Sequence, residues 1–131
     1  MNYYMARELA MPFDAAVTAT IEALKREGFG VLTDIDVQVT LRQKLGVEFR
    51  KYRILGACHP PSAHQALQAE ERIGLMLPCN LIVQERGPER TEVAAIDPAA
   101  SLMAVGNPAL REVGLGVRAK LERVLQGIAA P

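Results

Sequence analysis

Two short segments of the sequence hold the side chains best suited to chemistry. Cys58 is followed by His59 in the first segment, and Cys79 is followed by Asn80 in the second. Thiol, imidazole and amide groups can bind a small molecule, and a thiolate can also act as a nucleophile or a metal ligand. If a specific ligand binds this chain, we expect these four residues to form its site.

The two cysteines leave several interpretations open. Cys58 ends a predicted strand and precedes a predicted helix, whose N-terminal dipole would lower the thiol pKa and favour a thiolate. An inert buried cysteine is the more common role of this residue type. Neighbouring residues of a strand point to opposite faces, so a direct dyad of Cys58 and His59 is disfavoured. A small-molecule-binding domain is the leading hypothesis, and a thiol-dependent redox or metal-handling protein is the alternative.

The spacing of the ligating residues does not favour a metal site. The two cysteines, together with His59 and His64, offer neither a Cys-x-x-Cys nor a His-x-x-x-His pair. We predict no metal site, and the sequence names no cofactor. No phosphate-binding loop, nucleophile elbow or metalloprotease pattern occurs, so no motif decides whether the chain is an enzyme or assigns catalytic residues.

A disulfide between the cysteines is also disfavoured. If the helix after Cys58 joined two parallel strands, Cys58 and Cys79 would lie on the order of 15 to 20 Å apart. Only a return of Ile73 to Leu77 along the sheet would bring them together. We therefore expect two reduced thiols.

Two other polar groups are interpreted as structural. Asp34 and Asp36 end a predicted strand, where Asp36 can cap the next helix and Asp34 can remain solvated. The basic stretch from Arg42 to Arg53 could hold an anion. A solvated face is favoured, because Phe49 and Tyr52 do not form a stacking platform for bases.

Composition limits the class of protein. The chain has 131 residues, 50% of them apolar, and its 15 Lys plus Arg balance its 15 Asp plus Glu. This predicts a single domain over residues 1–131. Balanced charge argues against a nucleic-acid partner, and no apolar run approaches the ~20 residues of a membrane span. The N-terminal residues show no secretory pattern, so a cytoplasmic location is expected.

Helical and strand periodicities alternate along the chain. The apolar spacing and the Gly and Pro positions predict a two-layer α+β domain, with a mixed sheet of about five strands and helices packed on one face. Gly114 lies on the apolar stripe of the last helix, so another group is expected to pack closely against it. The predicted strands are 2–9, 29–35, 52–58, 81–85 and 91–96, and the predicted helices are about 12–27, 36–46, 60–69 and 108–127.

A two-layer domain leaves one sheet face without helices. Such a face is polar or is covered by a partner, and a two-fold pair is the commonest arrangement. Tyr3, Tyr52 and the alternating residues of Leu81 to Glu85 are candidates for that face. The sequence therefore also predicts a homodimer, and a self-associating interaction module is a third hypothesis for function.

The two cysteine segments also carry a family resemblance. Residues 52–60, Tyr-Arg-Ile-Leu-Gly-Ala-Cys-His-Pro, and residues 74–80, Gly-Leu-Met-Leu-Pro-Cys-Asn, resemble two motifs of the Domain of Unknown Function 302 family. With Asp97 and Pro98 after the hairpin, the resemblance extends over nearly the whole chain. It implies a small bacterial or archaeal α+β domain without an assigned activity. His59 departs from the family motif, which usually has asparagine there.

Overall fold

Strands and helices alternate in the computed structural model, which describes residues 2–129. The predicted α+β class is confirmed, and the four long predicted helices and five predicted strands are all present. A 3₁₀ helix at Ile73–Met76 and a short helix at Pro98–Met103 were not predicted. The elements are β1 (Tyr4–Leu9), α1 (Phe13–Arg26), β2 (Gly30–Asp36), α2 (Val37–Leu45), β3 (Tyr52–Cys58), α3 (Pro60–Ala69), β4 (Cys79–Gly87), β5 (Arg90–Ile96), α4 (Pro98–Met103) and α5 (Leu110–Gly127).

The five strands form one sheet in the order β1-β5-β4-β3-β2. The predicted number of strands is confirmed, but the prediction of a mixed sheet is wrong, because every neighbouring pair is antiparallel. The physical reason lies between β3 and β4. After α3 the 3₁₀ helix carries the chain back to the end of β3, so that β4 starts opposite Ala57 and runs the other way.

Helices α1 and α5 cover one face of the sheet and enclose the core. They pack on each other, α1 contacts β2, β4 and β5, and α5 contacts β1 and β5. Helices α3 and α4 pack against α5, whereas α2 contacts β2 and β3 and buries none of its residues. The largest fully buried apolar side chains are Leu24, Leu55, Ile73, Leu81, Leu110, Leu121, Val83, Val93 and Val124.

Local capping signals set the ends of α2 as predicted. The carboxylate of Asp36 accepts a hydrogen bond from the amide of Val39 at 3.0 Å. Gly46 ends the helix with φ +65, in the left-handed region that favours glycine. Across residues 2–129, no helix has both the length and the apolar content needed to cross a bilayer.

The start of α5 is tied to the end of α3. The Asn107 side chain accepts from the Ala109 amide and donates to the Ala69 carbonyl, both at 3.0 Å. The Asn-Pro pair predicts a cap at Asn107, but the helix begins at Leu110 with Ala109 at its N-cap, so Asn107 instead holds the turn before the helix and links two helices. The link fixes the position of α5 relative to α3.

Close packing at Gly114, expected from the sequence, is confirmed. A Cβ atom added there would lie 3.1 Å from the Pro98 carbonyl oxygen and 3.4 Å from the Ala99 Cα. Both neighbours are backbone atoms of α4, so they cannot move aside by a change of side-chain rotamer. Gly114 therefore permits the close approach of α4 to α5.

This contact predicts opposite outcomes at two glycines of α5. Gly116→Ala is expected to raise the free energy of unfolding by about 0.5–1 kcal/mol, because a Cβ at Gly116 meets nothing within 4 Å and alanine is the better helix former. Gly114→Ala should show no such gain, because its Cβ presses on α4. Urea unfolding of both variants measures the difference. Equal increases in the free energy of unfolding for the two variants would contradict the close contact between Gly114 and α4.

Candidate functional site

A cleft opens where the end of β3 and the start of β4 meet α3, the 3₁₀ helix, α4 and α5. Its volume is about 540 Å³, which lies in the range of small-molecule sites. All four residues singled out in the sequence, Cys58, His59, Cys79 and Asn80, line it. The two cysteine segments therefore form one surface.

Antiparallel pairing of β3 and β4 brings the two segments together. Ala57 is paired with Cys79 and Gly56 with Asn80, so Cys58 and Cys79 lie at the same end of the sheet. The wide separation expected for parallel strands is therefore wrong. The return of Ile73 to Leu77, named in the sequence analysis as the exception, is what occurs.

The chemistry of Cys79 is that of a protonated thiol. Both cysteines are free. Burial, with a smaller contribution from the charge of Cys58, raises the pKa of the Cys79 thiol to about 11. A thiol with this pKa is almost entirely protonated at neutral pH, and only the thiolate is a strong nucleophile. At neutral pH Cys79 is therefore expected to present a weakly polar S–H group to the cleft rather than a thiolate.

No metal centre is formed by these residues. Within residues 2–129, no group of three or more His, Cys, Asp or Glu side chains is arranged to hold a metal ion. His64, considered in the sequence analysis, is exposed on α3 and does not line the cleft.

His59 occupies the N-cap position of α3. Its Nδ1 lies 2.7 Å from the Ser62 hydroxyl, and its ring packs against Phe29 with 5.5 Å between ring centroids. Burial, with the positive charge of Lys120 as a second cause, lowers the pKa of the imidazole below its usual 6.5. His59 is therefore mainly neutral at neutral pH. It contributes a hydrogen-bonding group to the cleft without a charge.

Gly56 and Pro78 shape the floor beside the cleft by packing. Gly56 is buried, and a Cβ added there would lie 2.7 Å from the Pro78 Cγ and would also overlap Thr33 Oγ1. Thr33 is the β2 residue paired with Gly56. The glycine and the proline of the two motifs thus pack against each other, while the cysteines, His59, Asn80 and Pro78 itself line the cleft.

Several residues that line the cleft were not identified as site residues from the sequence. Leu32 lies at an irregularity of the pairing between Val31 and Thr33, a feature without a clear sequence signal. Val113 and Val117 belong to the buried apolar stripe of α5, and that stripe continues into the cleft. The remaining lining residues are Phe29, Ala57, Ser62, Ala63, Ala66, Leu67, Gly74, Leu75, Met76, Leu77, Pro78, Ile96, Pro98, Ser101 and Leu102.

Comparison with known proteins agrees with the motif resemblance. The family model described as Domain of unknown function DUF302 matches residues 5–128. The chain belongs to the DUF302 family. A crystal structure of an uncharacterized conserved protein DUF302 from Bacillus stearothermophilus is similar to this domain, with a TM-score of 0.90 and 26% identity. The similarity covers 98% of this chain and 100% of that chain. No curated protein matches the sequence.

Asp34 of this DUF302 domain is exposed, as predicted, and it also forms an ion pair with Arg53 that the sequence did not indicate. The guanidinium of Arg53 donates two hydrogen bonds to the two carboxylate oxygens, one of them from Nε at 2.7 Å. This hydrogen bonding lowers the pKa of Asp34 below its usual value. Arg53 lies on β3, 19 residues from Asp34 along the chain, so the residues next to Asp34 gave no sign of this ion pair.

The basic stretch of the DUF302 domain is engaged within the domain. Arg42 pairs with Glu48 at 3.4 Å. The Arg50 guanidinium lies 4.4 Å from the Phe49 ring centroid and donates to Gln84 at 2.9 Å. These intramolecular contacts give the stretch a structural role and do not favour an anion site.

Proposed function

We propose that this DUF302 domain binds a small molecule in the cleft between β3, β4, α3 and α5. The observation that carries the proposal is the convergence of both family motifs on one concave surface, to which they contribute Cys58, His59, Cys79 and Asn80. Concave sites with mostly apolar walls and a few polar groups are the usual form of small-molecule sites.

Exposed apolar side chains around the cleft support the same proposal. Leu75 is 86% exposed, Leu32 is 66% exposed and Leu67 is 44% exposed, and all three line the cleft. Isolated exposed leucines are common on proteins, but a group of them around a concavity marks a binding surface. A ligand seated between them would remove part of this apolar area from water.

The test uses three probes that share one chain and differ in head group: 1-octanol, octanoate and octylammonium. Each is titrated into the full chain while amide shifts are followed by NMR. At least one probe is expected to cause saturable shifts around Ala63, Leu102 and Val117. If none of the three binds there, the proposal fails.

A matched pair of variants on α3 locates the binding. Ala63 lines the cleft and is only partly buried, so Ala63→Trp is expected to fill the cleft and abolish saturation by the probe. Gln65 is exposed on the same helix and does not line the cleft, so Gln65→Trp should bind as the wild type does. Binding that persists in Ala63→Trp would assign the probe to another surface.

A second candidate function is self-association through the helix-free sheet face. Leu81 and Val83 of β4 are in the core, so Ile82 between them points to the opposite face. There it continues a row of side chains across four strands, formed by Ile35, Ile54, Ile82 and Ala94. A second copy of the chain presents the same apolar row, so a two-fold pair would bury both.

Sedimentation equilibrium tests this second proposal. The wild type is expected to approach twice the monomer mass as its concentration rises. Ile82→Glu, at the centre of the row, should remain monomeric because pairing would bury its charge. Leu115→Glu is the control, since Leu115 is 46% exposed on α5 and lies outside the sheet. A monomeric wild type at high concentration would contradict the pairing.

We also propose the cytoplasm as the compartment, because two free cysteines at one end of the sheet suit a reducing environment. The raised pKa of Cys79 makes it a poor nucleophile, which disfavours the thiol-dependent alternative.

A further inference from the structure

The walls of the cleft share one electrostatic property. None of the residues that line it is Asp, Glu, Lys or Arg. A charged ligand group held there would lose water without gaining an oppositely charged partner, which is strongly unfavourable. We infer that the ligand is an uncharged molecule with an apolar chain or ring and a hydrogen-bonding head group, an inference that rests on the proposed binding function.

Most polar groups of the cleft come from neighbouring segments at one end of the sheet. The end of β3, the first turn of α3 and the start of β4 contribute the thiols, His59, the Ser62 hydroxyl and the Asn80 amide. Apart from Ser62 and the Ser101 hydroxyl of α4, helices α3, α4 and α5 contribute mainly apolar groups: Ala63, Ala66, Leu67, Leu102, Val113 and Val117. This division matches a molecule with one polar end. Hydroxyl, carbonyl and amide head groups can exchange hydrogen bonds with His59, Ser62 and Asn80.

Two titratable groups of the cleft, His59 and Cys79, favour their uncharged forms near neutral pH. Burial keeps the Cys79 thiol protonated, and burial together with Lys120 disfavours the imidazolium form of His59. Lys120 does not itself line the cleft. Its positive charge nevertheless lowers the pKa of His59. Lys120 is therefore the residue that could attract an anionic ligand, and its effect on binding must be tested.

The experiment compares the affinities of the same three octyl probes at pH 7.5. We expect 1-octanol to bind at least ~10-fold more tightly than either octanoate or octylammonium, since each charged head group would have to enter the cleft unpaired. Equal or tighter binding of a charged probe in the cleft would overturn the inference and leave the binding function standing. Absence of saturable binding by all three would instead overturn the binding function.

Two substitutions test whether the absence of charged lining residues is the reason that the cleft prefers an uncharged probe. Leu67 lines the cleft and is 44% exposed, so Leu67→Lys can add a cation with little effect on folding. We expect octanoate to bind several-fold more tightly to Leu67→Lys than to wild type, and octylammonium not to. Lys120→Met should leave the affinity for 1-octanol within about 2-fold, because an uncharged head group gains little from a cation outside the cleft. An unchanged octanoate affinity in Leu67→Lys would contradict the electrostatic explanation.

Discussion

Gly56→Ala is expected to lower the free energy of unfolding by about 2–3 kcal/mol, because there is no space for a methyl group at this position. The added Cβ would lie 2.7 Å from Pro78 Cγ and would overlap Thr33 Oγ1. Thr33 can rotate, but the proline ring cannot, so the strands themselves would have to separate. The measurement is urea unfolding followed by circular dichroism.

Two comparisons isolate the steric cause. Gly30 is on the neighbouring strand, and a Cβ there meets nothing within 4 Å, so Gly30→Ala should be neutral or slightly stabilising. Adding Thr33→Ala to Gly56→Ala should recover part of the loss, because it removes one of the two clashing groups. A Gly56→Ala variant as stable as the wild type would show that β3 and Pro78 are not packed as closely as described.

Elements with local signals were predicted well. Asp36 and Gly46 delimit α2 through a side-chain cap and a left-handed glycine, both of which depend only on nearby residues. The regular apolar spacing along α5 predicted a helix from about Pro108 to Gly127, and the structure has it from Leu110 to Gly127. Close packing at Gly114 also followed from its place on that stripe.

Properties set by distant residues were not predicted. The direction of β4 depends on the 3₁₀ helix at Ile73–Met76, which is too short to give a periodic pattern. With β4 taken as parallel to β3, the sequence placed Cys58 and Cys79 at opposite ends of the sheet. The structure places them at one end, since Ala57 pairs with Cys79.

The candidate site was predicted in its polar part only. Cys58, His59, Cys79 and Asn80 attract notice by residue type, and all four line the cleft. The apolar walls could not be separated from the core in the sequence, because the same stripe of α5 supplies both. Whether a buried valine faces another side chain or an open cleft depends on the distance between helices, and a single helix pattern does not encode it.

In the folded protein, Cys79 is expected to react with iodoacetamide at least ~10-fold more slowly than in the unfolded chain, because a much smaller thiolate fraction is only partly offset by the greater nucleophilicity of a more basic thiolate. Burial raises the pKa of this thiol from 9.0 to about 11, and only the thiolate reacts. At pH 8 the reactive fraction therefore falls from roughly 10% to roughly 0.1%. Limited access of the reagent to the partly buried sulfur would slow the reaction further.

Pulse alkylation of Cys58→Ser followed by mass spectrometry measures this rate, because Cys79 is then the only cysteine in the chain. The same variant in concentrated urea at the same pH gives the unfolded reference rate. Wild type unfolded without reductant should gain two labels, as expected for two free thiols. Folded and unfolded rates that agree within a few fold would mean that Cys79 is not held as a protonated thiol, and the redox alternative would then regain support. A slow folded rate with full labelling on unfolding is the result expected if Cys79 is a partly buried, protonated thiol in the cleft wall.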